Sequence, residues 1–159
     1  MGYTILLAED ERDMREVVAD YFAEKSGGAM AVEAAADGDT ALAMIGARAY
    51  DLLLLDIMLP GTDGFMLCRA ARERGDVPIL FVTAREDEQD KLHGYGLGAD
   101  DYVVKPFSLA VLYAKAQALI RRAKGLTQDD VLAAGALALG PARGTVTAGG
   151  QPVARPPEE

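Results

Sequence analysis

Five polar side chains of this 159-residue sequence stand where short apolar runs end. Glu9 and Asp10 follow Ile5-Leu6-Leu7-Ala8, and Asp56 follows Leu52–Leu55. Thr83 follows Ile79–Val82, and Lys105 follows Val103-Val104. If the runs are neighbouring parallel strands, these residues share the sheet edge at which ligands bind, beyond the strands' carboxyl ends. Clustered carboxylates repel one another unless a cation joins them or some take up protons. Two acids and a backbone carbonyl, completed by water, suit Mg²⁺, which takes oxygen ligands in an octahedron. A carboxylate can also attack phosphorus and become an aspartyl-phosphate. A lysine and a hydroxyl beside it would then neutralise and hydrogen-bond the phosphoryl oxygens.

The elements that must position these groups are legible from periodicity. Apolar runs over Tyr3–Ala8, Ala29–Ala35, Asp51–Asp56, Val77–Val82 and Asp101–Val104 read as strands. Three contain continuously apolar stretches, as expected of strands covered on both faces. Between them lie segments of helical period. Met14, Val17, Val18, Tyr21 and Phe22 share one face, and Gly27-Gly28 ends that helix. Leu109, Leu112, Tyr113, Ala116, Leu119 and Ile120 form another face, with Ser108 as N-cap and Arg121, Arg122 and Lys124 at the negative end. Weaker patterns predict helices over Thr40–Arg48, Asp63–Arg74 and Glu86–Gly96. Alternating strands and crossover helices predict an α/β fold, a doubly wound five-stranded parallel sheet.

Four stretches carry a resemblance: Leu6-Leu7-Ala8-Glu9-Asp10-Glu11, Leu54–Phe65, Val82-Thr83-Ala84-Arg85 and Gly98–Phe107. In this order they resemble the receiver domains of two-component response regulators of the OmpR/PhoB subfamily, over about residues 3–123. The resemblance implies a flavodoxin-like sheet of strand order 2-1-3-4-5. It implies Asp56 as phospho-acceptor, with Asp10, Asp56 and the Met58 carbonyl as Mg²⁺ ligands and Glu9 acting through metal-bound water. Lys105 is similar to the phosphoryl-binding lysine, and Thr83 with Tyr102 to a switch pair in which the ring turns inward behind the threonine. Met58 and Arg85 stand where the family tunes the lifetime of the phosphoryl group. The implied partners are a sensor histidine kinase and, on phosphorylation, a second copy of the chain. The implied dimer face carries Lys91, Asp100, Asp101, Lys115 and Arg122, and Val111 stands where the family places an acid.

Each residue also has a plainer reading. One aspartate after a strand is more often a helix cap than a nucleophile, and only the joint occurrence at strand ends reverses that. Tyr102 taken alone is a half-buried strand aromatic. The only histidine, His93, reads as solvated, Cys68 as small core packing, and Arg69, Arg72 and Arg74 as a solvated helix face. Two other functions compete. A haloacid-dehalogenase-type phosphotransferase resembles this chain in its aspartyl nucleophile but needs an acid two residues later, where Met58 stands. A flavodoxin needs a phosphate-cradling loop where Glu9-Asp10-Glu11 would repel a phosphate.

Net charge is −9. Up to Lys124 there are 21 acidic and 14 basic residues, and beyond it four and two. Neither part has the basic surplus of a phosphate-backbone binder. The absence of a charged-then-apolar leader, of a membrane-length apolar run and of a paired cysteine leads to the expectation of a cytoplasmic chain with no membrane partner. Residues 1–124 are expected to form the receiver and 125–159 a linker and a small antiparallel β remnant. The latter resembles the start of a winged-helix effector domain, so DNA binding is expected only through a complete effector domain not present in this chain. The receiver is expected to be a regulatory phospho-acceptor, catalysing only its own phosphorylation and dephosphorylation.

Overall fold

The computed structural model describes residues 2–125. Five strands and five helices alternate: β1 (Tyr3–Ala8), α1 (Arg12–Lys25), β2 (Met30–Ala35), α2 (Gly38–Ala47), β3 (Leu52–Leu55), α3 (Gly64–Arg74), β4 (Ile79–Thr83), α4 (Glu88–Gly96), β5 (Asp101–Val104) and α5 (Leu109–Ala123). All strand pairs are parallel, in the order β2-β1-β3-β4-β5. The expected fold and strand order are observed. The β remnant expected within 125–159, and all but Gly125 of that segment, lie outside the described residues.

The continuous apolar runs are explained by the two faces of the sheet. Ile5, Leu7, Leu52 and Leu54 point into a core with α1 and α5, where Phe22, Leu112 and Ile120 are buried. Leu6, Ala8, Leu53 and Leu55 point the other way, onto Ile45, Leu67 and Phe81. Successive strand residues face opposite sides, so a strand buried on both must be apolar throughout.

Element starts differ from expectation for local reasons. The carboxylates of Asp37, Asp63 and Asp87 accept from Thr40 N, Met66 N and Gln89 N, so α2, α3 and α4 begin immediately after each of them. Ser108 caps α5 as expected, accepting from Val111 N. Strand β4 starts at Ile79, after Pro78, which has no N–H for the ladder but whose carbonyl accepts from Leu53 N at 3.0 Å. Arg72 departs from the solvated reading. Its guanidinium donates to Gly98 O (2.8 and 3.1 Å) and Val77 O (2.7 Å) and pairs with Asp100, tying α3 to the entries of β4 and β5. Cys68 is buried, and His93 is exposed with its ring edge-on to Phe65 at 4.5 Å.

Helix α2 meets the loop after β3 at glycine. A Cβ on Gly38 would lie 1.5 Å from the Thr62 carbonyl oxygen, and Gly38 N donates to Pro60 O at 2.9 Å. Asp39 adds bonds from Thr62 N (3.2 Å) and Thr62 Oγ1 (2.7 Å). Gly46, in the same helix, has open space around its missing Cβ. Gly38→Ala is therefore expected to lower unfolding free energy by about 1–3 kcal/mol, by overpacking against backbone. Gly46→Ala is expected to raise it by about 0.5–1 kcal/mol, by restoring helix propensity. Urea denaturation of the two variants checks the opposite signs.

Candidate functional site

Strands β1, β3 and β5 each deliver a charged group to the sheet's carboxyl edge. Asp56 is the first residue beyond β3, and its N–H is held by Ala8 O at 3.0 Å, so β1 fixes its backbone. The next turn folds back tightly. Met58 N donates to Asp56 Oδ1 at 3.1 Å, and Gly64 N donates to Ile57 O at 3.0 Å. A Cβ on Gly64 would sit 2.3 Å from Asp56 O, so glycine lets α3 start against the acid's own backbone. Glu9, 1% exposed, is anchored by its N–H on Ala35 O (3.0 Å) and accepts from Glu11 N at 3.0 Å. Lys105 follows β5, held by its N–H on Thr83 O at 2.8 Å, with a cis peptide to Pro106.

These elements converge. Carboxylate oxygens of Glu9, Asp10 and Asp56 lie within 4.8 Å of one another. Lys105 Nζ bridges two of them, 2.7 Å from Glu9 Oε1 and 2.9 Å from Asp56 Oδ2. Burial pushes the Glu9 carboxyl above its ordinary 4.5, and the bonds from Lys105 and Glu11 reverse this only in part. Burial opposes the Lys105 charge as well, but its bonds to Glu9 and Asp56 outweigh that and hold it above its ordinary value. One ammonium faces three carboxylates, so the all-oxygen cluster suits a further cation of the Mg²⁺ kind, with exposed Asp10 as the open side.

Behind the acids lies a second group of residues. Thr83 is fully buried, and its Oγ1 accepts from Arg85 N at 3.4 Å. The Tyr102 ring is turned inward, 9% exposed, and its hydroxyl donates to Arg85 O at 2.6 Å. Burial, with Asp90 next, pushes this phenol up to about 12, so it remains a donor at neutral pH. The Arg85 guanidinium grips Asp90 of α4 through two bonds, Nε to Oδ2 (2.8 Å) and Nη2 to Oδ1 (3.1 Å), and Lys91 Nζ lies 5.8 Å from the Tyr102 ring centre.

The residues expected on a dimer face fall on α4, β5 and α5 or beside them, and several are already paired within the chain. Lys115 Nζ lies 2.9 Å from Asp101 Oδ2, and Asp100 Oδ2 is shared by Arg72 (3.3 Å) and Ile79 N (2.9 Å). Val111 and Arg122 are exposed on α5. Sequence reasoning missed Arg15, whose Nη1 lies 2.9 Å from Glu9 O and 3.0 Å from Asp10 O. A signal existed: Arg15 is a cation close to the positive end of a helix, an unfavourable place without compensation. It also missed Asp90, whose partner is recognisable only once the β4–α4 loop has folded.

The parallel α/β fold thus gathers three acids, a lysine and a buried threonine at one carboxyl edge. The family model "Response regulator receiver domain" matches residues 5–117, and the chain belongs to that family. It is 39% identical over 162 residues to the sensory transduction protein RegX3 of Mycolicibacterium smegmatis, covering 98% of this chain and 69% of that protein. It is 42% identical over 120 residues to the transcriptional regulatory protein BaeR of Escherichia coli, covering 76% of this chain and 49% of that one. Among solved structures it resembles the BeF3-activated receiver domain of Klebsiella pneumoniae RstA, with TM-score 0.69 and 34% identity, covering 74% of this chain and 98% of that one. No helix among the described residues is long and apolar enough to cross a membrane.

The raised Glu9 value has a testable sign. The folded state holds the Glu9 proton more tightly than the unfolded state, so its contribution is fully present below the ordinary 4.5 and is lost as pH rises through the raised value. In chelator, the stability of the native chain minus that of Glu9→Gln is expected to fall as pH rises from 4.5 towards neutrality. Urea midpoints along a pH series check this, and a flat or rising difference would contradict it.

Proposed function

We propose that this chain is the phospho-accepting switch of a two-component pathway and that Asp56 receives the phosphoryl group from a histidine of a sensor kinase. The observation that carries the reading is Asp56 at the end of β3, buried, with Lys105 on one carboxylate oxygen and Glu9 and Asp10 alongside. A carboxylate oxygen of Asp56 attacks phosphorus, the bond to the donor nitrogen breaks, and the donor imidazole leaves. Lys105 moves its charge to the phosphoryl oxygens. Mg²⁺, held by Asp10, Asp56 and the Met58 carbonyl, with Glu9 acting through water, would neutralise charge on the transferring group.

The buried Thr83 hydroxyl is the one side-chain donor that β4 can offer a phosphoryl oxygen. If it turns towards that group it leaves Arg85 N, and the Arg85 carbonyl that holds Tyr102 is free to shift with it. That path leads to α4 and β5. Leu92, Tyr95 and Val111 are large apolar side chains exposed on α4 and α5, beside Lys91, Asp101, Lys115 and Arg122, which suits a symmetric contact with a second copy of the chain. The chain acts as a cytoplasmic regulator whose only catalysis is on itself, and DNA is reached only through a complete effector domain.

With Mg²⁺ and acetyl phosphate, the protein is expected to gain the mass of one phosphoryl group in a base-labile acyl linkage. Asp56→Asn is expected to gain none. Undiminished labelling of that variant in intact-mass spectra would remove Asp56 as acceptor.

A further inference from the structure

Among the described residues, four of the five helices are closed at their N-termini by a side chain, from Asp37, Asp63, Asp87 and Ser108. Helix α1 is the exception. Its cap residue, Glu11, has extended backbone and makes no side-chain cap bond. Yet the loop ending at Glu11 carries Glu9 and Asp10, two of the three clustered carboxylates. What holds the loop's carbonyls comes from inside the helix: Arg15 Nη1 donates to those of both Glu9 and Asp10. A guanidinium here is opposed by the helix dipole, and its charge repels any cation added to the nearby acids. Its charge-assisted bonds to two consecutive carbonyls are what offset that position.

We propose that Arg15 is a positioning residue for the metal-binding loop. Gripping two successive carbonyls fixes the backbone turn from β1 into α1, and that turn aims the Glu9 and Asp10 side chains at Asp56. The inference rests on the reading of these three acids as a divalent-cation site. Removing a positive charge beside an acidic site should, by Coulomb's law alone, tighten cation binding, by a factor of a few at physiological salt. Removing a group that orients metal ligands weakens binding by about 10–100-fold. If Arg15 positions the loop, the second effect wins.

The experiment titrates Mn²⁺, which shares the oxygen-rich octahedral preference of Mg²⁺, into the full chain and reads free Mn²⁺ by electron paramagnetic resonance. Arg15→Met is expected to weaken binding about tenfold. Arg15→Lys, with a point charge in place of the planar fork, is expected to fall between it and the native chain. Arg12→Met removes the same charge from the same helix, but from an exposed pair with Glu16 at 3.2 Å, and is expected to cause no weakening. Should circular dichroism show Arg15→Met unfolded, Arg15→Gln, which keeps a neutral donor, replaces it, with weakening again expected. Unchanged or tighter Mn²⁺ binding at position 15, or equal weakening by Arg12→Met, overturns the role of Arg15. Asp10→Asn separates the two claims. If the native chain binds Mn²⁺ and Asp10→Asn does not, the metal site stands whatever Arg15 does, whereas no binding by the native chain overturns both.

Discussion

Two buried carboxylates, Glu9 and Asp56, share one ammonium, and the rest of the site is arranged around that shortage of positive charge. Two unit charges about 5 Å apart at the effective dielectric of a protein surface repel by on the order of 3 kcal/mol. A fold keeps such a pair charged only if a cation is brought to it. The sheet order does this. β1 and β3 are neighbours, so Asp56 N can bond Ala8 O, and β5 is two strands further on, within reach of a lysine side chain. Lys105 crosses 96 residues of sequence to reach Glu9 and 49 to reach Asp56. The remaining negative charge is what the proposed divalent ion would neutralise, and the acids stand on a loop clamped from α1 by Arg15 and beside another clamped from α2 by Gly38 and Asp39.

The same economy links the acids to a distant surface. Thr83 sits between the site and Arg85, and Arg85 joins three elements: its N–H meets β4, its carbonyl meets β5 through Tyr102, and its guanidinium meets α4 through Asp90. In the proposed switch, a change in what Thr83 bonds reaches β5 and α4 through these bonds of Arg85. If the Arg85 carbonyl moves, the Tyr102 hydroxyl, a donor at neutral pH, must find another acceptor or reach solvent.

Much of this was legible in the sequence because strand ends are where apolar runs stop, and the site residues are the first polar residues after them. Asp56, Lys105 and Thr83 could be found without knowing the sheet order. Helix starts were less legible. Thr40 was expected to open α2, but Gly38 does, because a glycine that reads as a breaker is there for close approach to Thr62. Arg72 read as solvated because its partners, Val77 and Gly98, are loop carbonyls that periodicity does not reveal. The carbonyl partners of Arg15 were hidden for the same reason, and only its place near the positive end of α1 marked it. Tyr102 had two readings, strand aromatic or switch, and its inward ring with a hydroxyl on Arg85 is compatible with both.

The central claim is that the clustered acids are short of one cation and that Asp56 is part of the shortage. The most direct measurement is urea unfolding of the native chain and of Asp56→Asn, from chelator to millimolar Mg²⁺. A ion that binds only the folded state adds RT ln(1 + [Mg²⁺]/Kd) to stability. The account predicts that the native chain gains stability steadily with Mg²⁺, while Asp56→Asn starts more stable in chelator and gains little. A native chain indifferent to Mg²⁺, or an equal gain in Asp56→Asn, would contradict it.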